Sequence, residues 1–376
     1  MLPPPVLVEP DDRKLLRQSV ADFVADAGEP SKVRERRKSE TGYDRAIWRE
    51  IAGLGWLQLA VPEAQGGLGM SFADLAALHE EYGKAAMPEP LIAVGLLATG
   101  ALSGGDNAAL RDAELPALLS GEKIATLAWQ SGVHALVSND VMIEAVSDGD
   151  GYRISGTAEF VPAASGADAF VVAARHRDGL VLAWVEASAA SIETRRNADY
   201  APLGTMTFDN AAGVQVAGPE SAAALLDQLL DKGRVAVCAE AVGVMHQTLV
   251  TTLDYMRTRE QFGRAIGSFQ ALQHRAVNLY IQLELSRSIV MKAAAAIDAG
   301  LPEVPRLAAQ CKARCAEASV QVAGQSVHLH GTIGFTEELD LSILIRRGHA
   351  LSAWLGNGEA NLRRYTQLRW PEGIAA

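Results

Sequence analysis

Hydrophobic and polar positions divide the chain into three stretches of different period. Over residues 1–121, apolar residues recur at three- and four-residue spacing, as at Leu15, Val20 and Phe23, which is typical of amphipathic helices. The 90–105 stretch is apolar on nearly all sides, so we expect it to be a buried helix. The pattern predicts an N-terminal α-helical domain.

The period changes between residues 122 and 217. Short β-rich or alternating runs are separated there by Gly, Asp, Ser and Asn, which is the pattern of strands joined by turns. The runs are 124–130, 141–146, 152–160, 169–176, 180–187 and 204–210. At least six strands in so short a stretch predict a β-barrel or a sandwich.

Residues 218–376 return to a helical pattern. Three long segments, 221–260, 268–298 and 304–331, are amphipathic and have Ala- and Gly-rich faces. Such faces favour close antiparallel packing, so we expect a four-helix bundle. The predicted fold is therefore α+β, in the order helical domain, β domain and helical bundle.

Composition restricts the class of protein. The chain has 376 residues, and 34 basic against 45 acidic side chains give a net charge of −11. An acidic chain gains little attraction to phosphate backbones, so nucleic-acid binding is not expected. No apolar run approaches the roughly 20 residues of a membrane span, and the N-terminus does not have the pattern of a signal peptide. We expect a cytoplasmic protein.

The chain has three cysteines, Cys238, Cys311 and Cys315. Three are too few for a disulfide framework, which fits a reducing compartment. Cys311 and Cys315 are four residues apart in a helical stretch and therefore share a face. We expect ordinary core thiols and no metal site, with redox or metal use as the alternative.

The strongest local signal for chemistry is the segment 255–275, YMRTREQFGRAIGSFQALQHR. It closes one long helix, turns at two glycines and opens the next. It carries positive charge, an aromatic ring and hydrogen-bonding groups, on Arg257, Arg259, Arg264, Phe262, Gln270, Gln273 and His274. Such a set suits an anionic, aromatic cofactor, because Arg binds pyrophosphate in a fixed geometry. The alternative is an ordinary charged helix end.

Two further segments accompany it, GLGWLQLAVPEAQGGLGMSF at 53–72 and HLHGTIGFTEELDLSILIRRGHALSAWLGNGEANLRRY at 328–365. Together the three resemble signatures of the acyl-CoA dehydrogenase family. These are its G-W and P-E-x-x-G-G-x-G stretch, its R-x-x-F-G…F-Q element, its G-x-x-G-[FY] turn and the loop that carries E-G-T in many members. The resemblance covers essentially the whole chain and agrees with the α–β–α order.

The resemblance implies an FAD-dependent enzyme that desaturates acyl-CoA thioesters and passes electrons to electron-transfer flavoprotein. It places Arg259, Phe262 and Gln270 against the FAD of a neighbouring subunit, and Gly356 and Asn357 at the flavin. By the same resemblance the FAD diphosphate meets the turn of His328, Gly331 and Gly334. His328 and His330 also form an H-x-H pattern, but without nearby carboxylate or Cys ligands we expect no metal there.

The middle domain departs from the family's pattern. The T-E-P-x-x-G-S-D-like loop reads LAWQSGVHALVSND at 127–140, where Trp129 and Ser131 take flavin-contacting positions. The W-I-[TS]-N strand reads EFVPAASGAD, in which Phe160 is the candidate stacking ring and Pro162 removes a backbone donor. This half of the flavin site therefore differs from that of most members.

The catalytic carboxylate is missing from both positions that the family uses. Leu355 occupies the position before the loop glycine, and Gly233 occupies the position at the start of the first long bundle helix. Neither side chain can remove the weakly acidic α-proton of a thioester. The base that the reaction needs is therefore not assigned to a residue of this chain.

Acidic residues near the two vacant positions are candidate substitute bases. Glu359 lies one helical turn beyond the first vacant position, about 6 Å along the axis if a helix begins there. Glu240 lies seven residues beyond the second, about 10 Å away on the same helical face. Asp227 and Glu159 are further candidates.

In lacking both the catalytic glutamate and the usual flavin loop, the chain resembles the small subunits of heteromeric members of the family, such as pimeloyl-CoA dehydrogenase. The resemblance leaves two assemblies open, a homotetramer and an α2β2 heterotetramer with a Glu-bearing large subunit. It leaves three functions open: an active desaturating subunit, a non-catalytic subunit that completes a partner's FAD and substrate site, and a flavin-dependent monooxygenase on the same fold.

Overall fold

A computed structural model describes residues 9–371 of the chain. The first eight residues, in which the sequence has no signal-peptide pattern, lie outside the described residues. The chain forms two compact units. The bundle unit comprises Met1–Arg34, Phe72–Met87 and Arg234–Ala376, and the sheet unit comprises Glu35–Ser71 and Pro88–Gly233.

Helices account for both ends of the chain and strands for its middle. The helices are α1 Asp11–Ala27, α2 Pro30–Lys38, α3 Arg45–Gly53, α4 Phe72–Lys84, α5 Thr99–Gly104, α6 Ala108–Leu119, α7 Ala222–Thr258, α8 Gln270–Asp298, α9 Val304–His330, α10 Leu341–Ala353 and α11 Gly358–Arg369. The strands are β1 Ala125–Ala128, β2 Glu144–Asp148, β3 Gly151–Pro162, β4 Ala169–His176, β5 Gly179–Glu186, β6 Ala190–Arg196, β7 Pro202–Ala217, β8 Glu260–Gln261 and β9 Arg264–Ala265. The predicted fold class is confirmed. The domain boundaries at residues 121 and 217 stay predictions.

The three long helical segments predicted in the last third of the chain are confirmed as α7, α8 and α9. In the bundle unit, Gly83 of α4 and Gly243 of α7 let two helix backbones meet. A Cβ at Gly83 would lie 2.1 Å from the carbonyl oxygen of Glu240, and one at Gly243 would lie 1.9 Å from that of Glu80. Only glycine permits so close a crossing, which explains its place on these helix faces.

The β domain of the sheet unit is a sheet that closes on itself. Its strands follow the order β1-β4-β2-β3-β7-β5, and β5 also pairs with β4. This ring favours the barrel over the sandwich, because closure leaves fewer open edges. All six predicted runs form strands, but β6 was missed. Its sequence, ASIETRR, is mostly polar and exposed, and it pairs along β7 alone.

The predicted buried helix at 90–105 is present, in an unexpected form. Leu91–Ala98 is a π-helix, which continues as α5. The hydroxyl of Thr99 donates to the carbonyl oxygen of Val94 at 2.8 Å, within the widened turns. Periodicity predicts burial here but does not distinguish an α-helix from a π-helix.

By length and composition alone, one described helix, α7, could span a membrane. Its most apolar 18-residue window is 78% buried inside the protein. Core helices of soluble proteins have the same property, so α7 is weak evidence for a membrane span.

Candidate functional site

The turn between α7 and α8 forms a small hairpin, in which β8 pairs with β9. Phe262 and Gly263 connect the strands, with φ of 56° and 79°. Two consecutive positive φ values define a type I′ turn, which a phenylalanine rarely enters. The result is a ring presented to solvent, because Phe262 is 91% exposed.

The other candidate cofactor side chains of this segment are also exposed. Gln270 is the first residue of α8, and Arg259 lies at the base of the hairpin. Neighbouring polar groups are engaged inside the chain: Arg257 pairs with Asp254, and Arg264 lies over the ring of Phe269 at 4.2 Å. The structure therefore brings Arg259, Phe262 and Gln270 to one end of the bundle unit.

The two histidines of the H-x-H pair at the end of α9 lie in different environments. His330 is buried and stacks on Tyr255 with ring centroids 4.4 Å apart, and its Nδ1 lies 2.8 Å from the carbonyl oxygen of Ser326. Burial lowers the pKa of His330 below its ordinary value. His328 is exposed, 3.4 Å from a guanidinium nitrogen of Arg275. The two rings thus have separate roles.

Glycines shape the turn that follows α9. Gly331 ends the helix with a φ of 67°. Gly334 packs tightly, because a Cβ there would lie 2.8 Å from the carbonyl oxygen of Val327. Its backbone is therefore fixed against α9. The assignment of both glycines to a cofactor diphosphate stays a prediction.

The loop between α10 and α11 carries the first vacant base position. Leu355 is 2% exposed and has a φ of 58°, a strained conformation for a leucine, and Gly356 follows with a φ of 94°. The side-chain oxygen of Asn357 accepts from the backbone N–H of Ala360, so it caps α11. The predicted contact of Asn357 with the flavin would therefore use its side-chain NH2 group or its backbone.

Three buried donors hold this loop, and the sequence did not point to them. The Arg234 Nε donates to the carbonyl oxygen of Leu355 at 3.3 Å, and the Lys312 Nζ donates to that of Gly356 at 2.8 Å. The Asn361 amide donates to both carbonyls. The sequence did offer one sign of a buried donor, because Lys312 lies among the Ala and Cys residues of the core face of α9.

In the sheet unit, the flavin-loop candidates lie beside the candidate stacking strand. The backbone N–H of Glu159 donates to the carbonyl oxygen of Gln130 at 2.7 Å. Trp129 is buried, and Phe160 is half-exposed with a φ of 57°. The hydroxyl of Ser131 accepts from the backbone N–H of Met142, so this loop uses that group internally.

The loop's remaining structure depends on carboxylates of this chain. Asp140 accepts hydrogen bonds from the backbone N–H groups of Leu136 and Val137. Asp227 accepts from both the backbone N–H and the hydroxyl of Ser138, at 2.7 and 2.8 Å. Asp227 is therefore an anchor of the loop, which removes it from the candidate bases.

The two leading substitute bases occupy unsuitable environments. Glu240 is 2% exposed, and its carboxylate accepts a 2.6 Å hydrogen bond from Arg347. Glu359 is 76% exposed and lies 3.7 Å from Arg363, one turn further along α11. A general base needs a desolvated carboxylate that is free to take a proton. Glu240 is committed to its ion pair and Glu359 faces water.

Comparisons with known proteins agree with this architecture. Residues 10–122 match the model of the acyl-CoA dehydrogenase N-terminal domain, and residues 223–367 match that of the acyl-CoA dehydrogenase C-terminal domain. The chain is 31% identical to acyl-CoA dehydrogenase IpdE2 of Mycolicibacterium smegmatis, over 94% of this chain and 97% of that protein.

Two similar solved structures have titles that each name a pair of proteins. One is a variant of the Tcur3481-Tcur3483 steroid ACAD, with 32% identity, a TM-score of 0.88 and coverage of 96% of this chain and 98% of that chain. The other is the ChsE4-ChsE5 complex from Mycobacterium tuberculosis, with 27% identity, a TM-score of 0.88 and coverage of 98% and 99%.

Proposed function

The chain belongs to the acyl-CoA dehydrogenase family, and on this premise we propose that it is the base-lacking subunit of a heteromeric, FAD-dependent acyl-CoA dehydrogenase. The enzyme introduces a Cα–Cβ double bond into an acyl-CoA thioester. This subunit completes the FAD and substrate site, and a Glu-bearing partner supplies the base.

The environment of the vacant base positions carries the proposal. Leu355 fills one of them with a buried hydrocarbon side chain, and its backbone is fixed by Arg234 and Asn361. The nearest substitute on the same loop, Glu359, is solvated. A solvated carboxylate removes a proton poorly from a carbon acid, because water stabilises its charged form.

The hairpin end of the bundle unit fits FAD. Arg259 offers charge to a diphosphate, Phe262 offers an aromatic face and Gln270 offers an amide, and all three are exposed. The sheet-unit loop fits less well, because Ser131 already accepts from the backbone of Met142. When bound, FAD accepts the hydride from the substrate. We assign the hairpin side chains to FAD that a partner subunit holds.

Substrate and partners follow from the same proposal. Similar structures are titled as pairs, and one pair is a steroid ACAD, which supports an α2β2 assembly acting on a bulky, ring-bearing acyl-CoA. A homotetramer is the alternative assembly. Electron-transfer flavoprotein is the proposed electron acceptor. A cytoplasmic location suits three free cysteines.

Purification of the chain alone and together with a Glu-bearing partner tests the proposal. The pair should retain FAD and bleach anaerobically with a steroid-type acyl-CoA, whereas the chain alone should retain little FAD and should not bleach. A homogeneous, fully flavinated homotetramer that bleaches without a partner would overturn the proposal.

A further inference from the structure

The three cysteines of the chain converge at one point. Cys238 lies on α7, whereas Cys311 and Cys315 lie one turn apart on α9. Their three sulfur atoms lie within 4.8 Å of one another, and all three are free thiols. The chain has no other cysteine, so every thiol that it carries is in this cluster.

The thiol cluster is closed to water. None of the three residues is more than 1% exposed. Cys311 and Cys315 present two sulfurs from one helix face, and Cys238 supplies the third corner of a triangle from the facing helix. The Cys315 thiol makes a weak contact, 3.9 Å long, with the carbonyl oxygen of Ser286. Its sulfur is thus available to a softer partner.

A buried cation borders the cluster. Lys312 is 1% exposed and directly follows Cys311 on α9. Its ammonium group donates to the carbonyl oxygens of Ser352 and Gly356, which are neutral acceptors. A buried ammonium group is stabilised by a nearby negative charge. Three neutral thiols do not supply that charge, but thiolates bound to a metal do.

We propose that Cys238, Cys311 and Cys315 form a buried three-sulfur site for a soft, thiophilic d10 cation, with monovalent copper as the best fit. Thiolate ligands favour soft cations. Among the described residues the cluster includes no fourth Cys, His, Asp or Glu, whereas structural zinc takes four protein ligands. On this proposal the three thiols are metal ligands, in contrast to the ordinary core thiols that the sequence led us to expect.

The geometry needs only a small contraction. A metal–sulfur distance of about 2.3 Å places three sulfurs around one ion at roughly 4 Å from each other. The present separations of up to 4.8 Å close to that value through side-chain rotation within the two helices. Each cysteine that binds as thiolate releases its proton to solvent as the ion enters. The net negative charge of the metal–thiolate group then lies beside Lys312.

Copper binding is measured on the full-length chain, purified anaerobically under reducing conditions from cells grown with copper. Competition with the chromogenic chelator bicinchoninate should leave one monovalent copper per chain, with a near-ultraviolet sulfur-to-copper charge-transfer band. X-ray absorption should report three sulfur neighbours and no nitrogen or oxygen neighbour. Absence of retained copper in the wild-type chain overturns the proposal, as does a loss of 2 Da that marks a disulfide.

Single substitutions separate the site from general effects on folding. Cys311→Ser and Cys315→Ser should each lower copper affinity at least 100-fold, because a hydroxyl is a poor ligand for a soft cation. Ala313→Ser, between them on α9, adds a hydroxyl without removing a thiol and should keep the wild-type affinity. Thermal melts identify variants that fold. If folded Cys311→Ser or Cys315→Ser binds copper as tightly as folded Ala313→Ser, the proposal is contradicted. The X-ray absorption test uses the wild-type chain and does not depend on any variant.

Discussion

The Nζ of Lys312 lies 2.8 Å from the carbonyl oxygen of Gly356 and donates a hydrogen bond to it. This bond links the middle of α9 to the loop that carries the first vacant base position, Leu355. A second bond from Lys312 reaches Ser352, at the end of α10. A buried cation of α9 therefore fixes the loop through hydrogen bonds, and the conformation of the loop does not depend on a glutamate at position 355.

Lys312→Met should loosen this loop. The substitution keeps the length of the side chain but removes one hydrogen bond from each of two carbonyl oxygens, those of Ser352 and Gly356, and the latter keeps its bond from Asn361. A hydrogen bond to a charged donor contributes about 1.5–3 kcal/mol. Hydrogen exchange should accelerate at residues 354–358. Lys292→Met, at an exposed position of α8, serves as the control. Equal exchange rates in the two variants would show that Lys312 does not hold the loop.

Sequence reasoning found this loop but not what fixes it. The family resemblance located Leu355, Gly356 and Asn357, and helical periodicity located α9. Neither indicates which polar atom of α9 meets which carbonyl, because that depends on the packing of α9 against the end of α10. The thiol cluster has the same explanation: spacing put Cys311 and Cys315 on one face, but the register of α7 decides where the third sulfur lies.

The hairpin side chains should matter for flavin retention and not for folding. Phe262→Ala and Arg259→Ala should each weaken FAD retention by the partner complex about 10-fold or more, since aromatic stacking on a base contributes roughly 1–3 kcal/mol and a charge-assisted contact roughly 1.5–3 kcal/mol. Leu15→Ala and Arg195→Ala remove an exposed hydrophobic and an exposed basic side chain elsewhere, and should retain wild-type FAD. Flavin absorbance after dialysis gives the comparison, and unchanged FAD in both hairpin variants would refute the assignment.

Glu359→Gln tests the remaining substitute base. Because Glu359 is solvated and pairs with Arg363 on its own helix, its neutral isostere should leave acyl-CoA-dependent bleaching of the complex within about twofold of wild type. Loss of a true general base would slow bleaching about 10²–10⁴-fold. Stopped-flow absorbance under anaerobic conditions distinguishes the two results. A slowing of that size would place the base in this chain.

In the β domain, the sequence pattern predicts most strands but neither β6 nor the way in which the strands pair. Six runs were either rich in β-forming residues or alternated between apolar and polar residues, and each forms a strand. The strand β6 has little apolar content because it lies along β7 and faces solvent with most of its side chains, so its sequence lacks the signal. The ring also needs pairings between strands that are distant in the sequence, such as that of β3 with β7, and alternation along one strand does not encode them.

His79 should make the protein less stable in mild acid. Burial lowers the pKa of His79 to about 3, against about 6.5 for an exposed histidine. Between these values the unfolded chain binds a proton that the folded chain does not, so stability falls as the pH drops below 6.5. The free energy of unfolding should decrease by about 2 kcal/mol between pH 7.5 and 5 from this group alone.

Urea unfolding of His79→Gln measures this contribution, since glutamine does not titrate. The pH dependence of its unfolding free energy should be shallower than that of the wild type by this amount. His349→Gln, at an exposed histidine of the same unit, should retain the wild-type slope. Parallel slopes for wild type and His79→Gln would contradict the buried, neutral state of the imidazole.

Two glycine-to-alanine substitutions should change stability in opposite directions. In Gly243→Ala the new methyl group would lie 1.9 Å from the carbonyl oxygen of Glu80, so α4 and α7 must separate. Overpacking of this kind costs about 1–3 kcal/mol, more than the roughly 1 kcal/mol that alanine gains over glycine in a helix. In Gly324→Ala, on α9, the methyl group meets no described atom within 4 Å, so only the gain remains. Unfolding free energies of the two variants should therefore fall on opposite sides of the wild type, and a stabilised Gly243→Ala would disprove the close crossing of the two helix backbones.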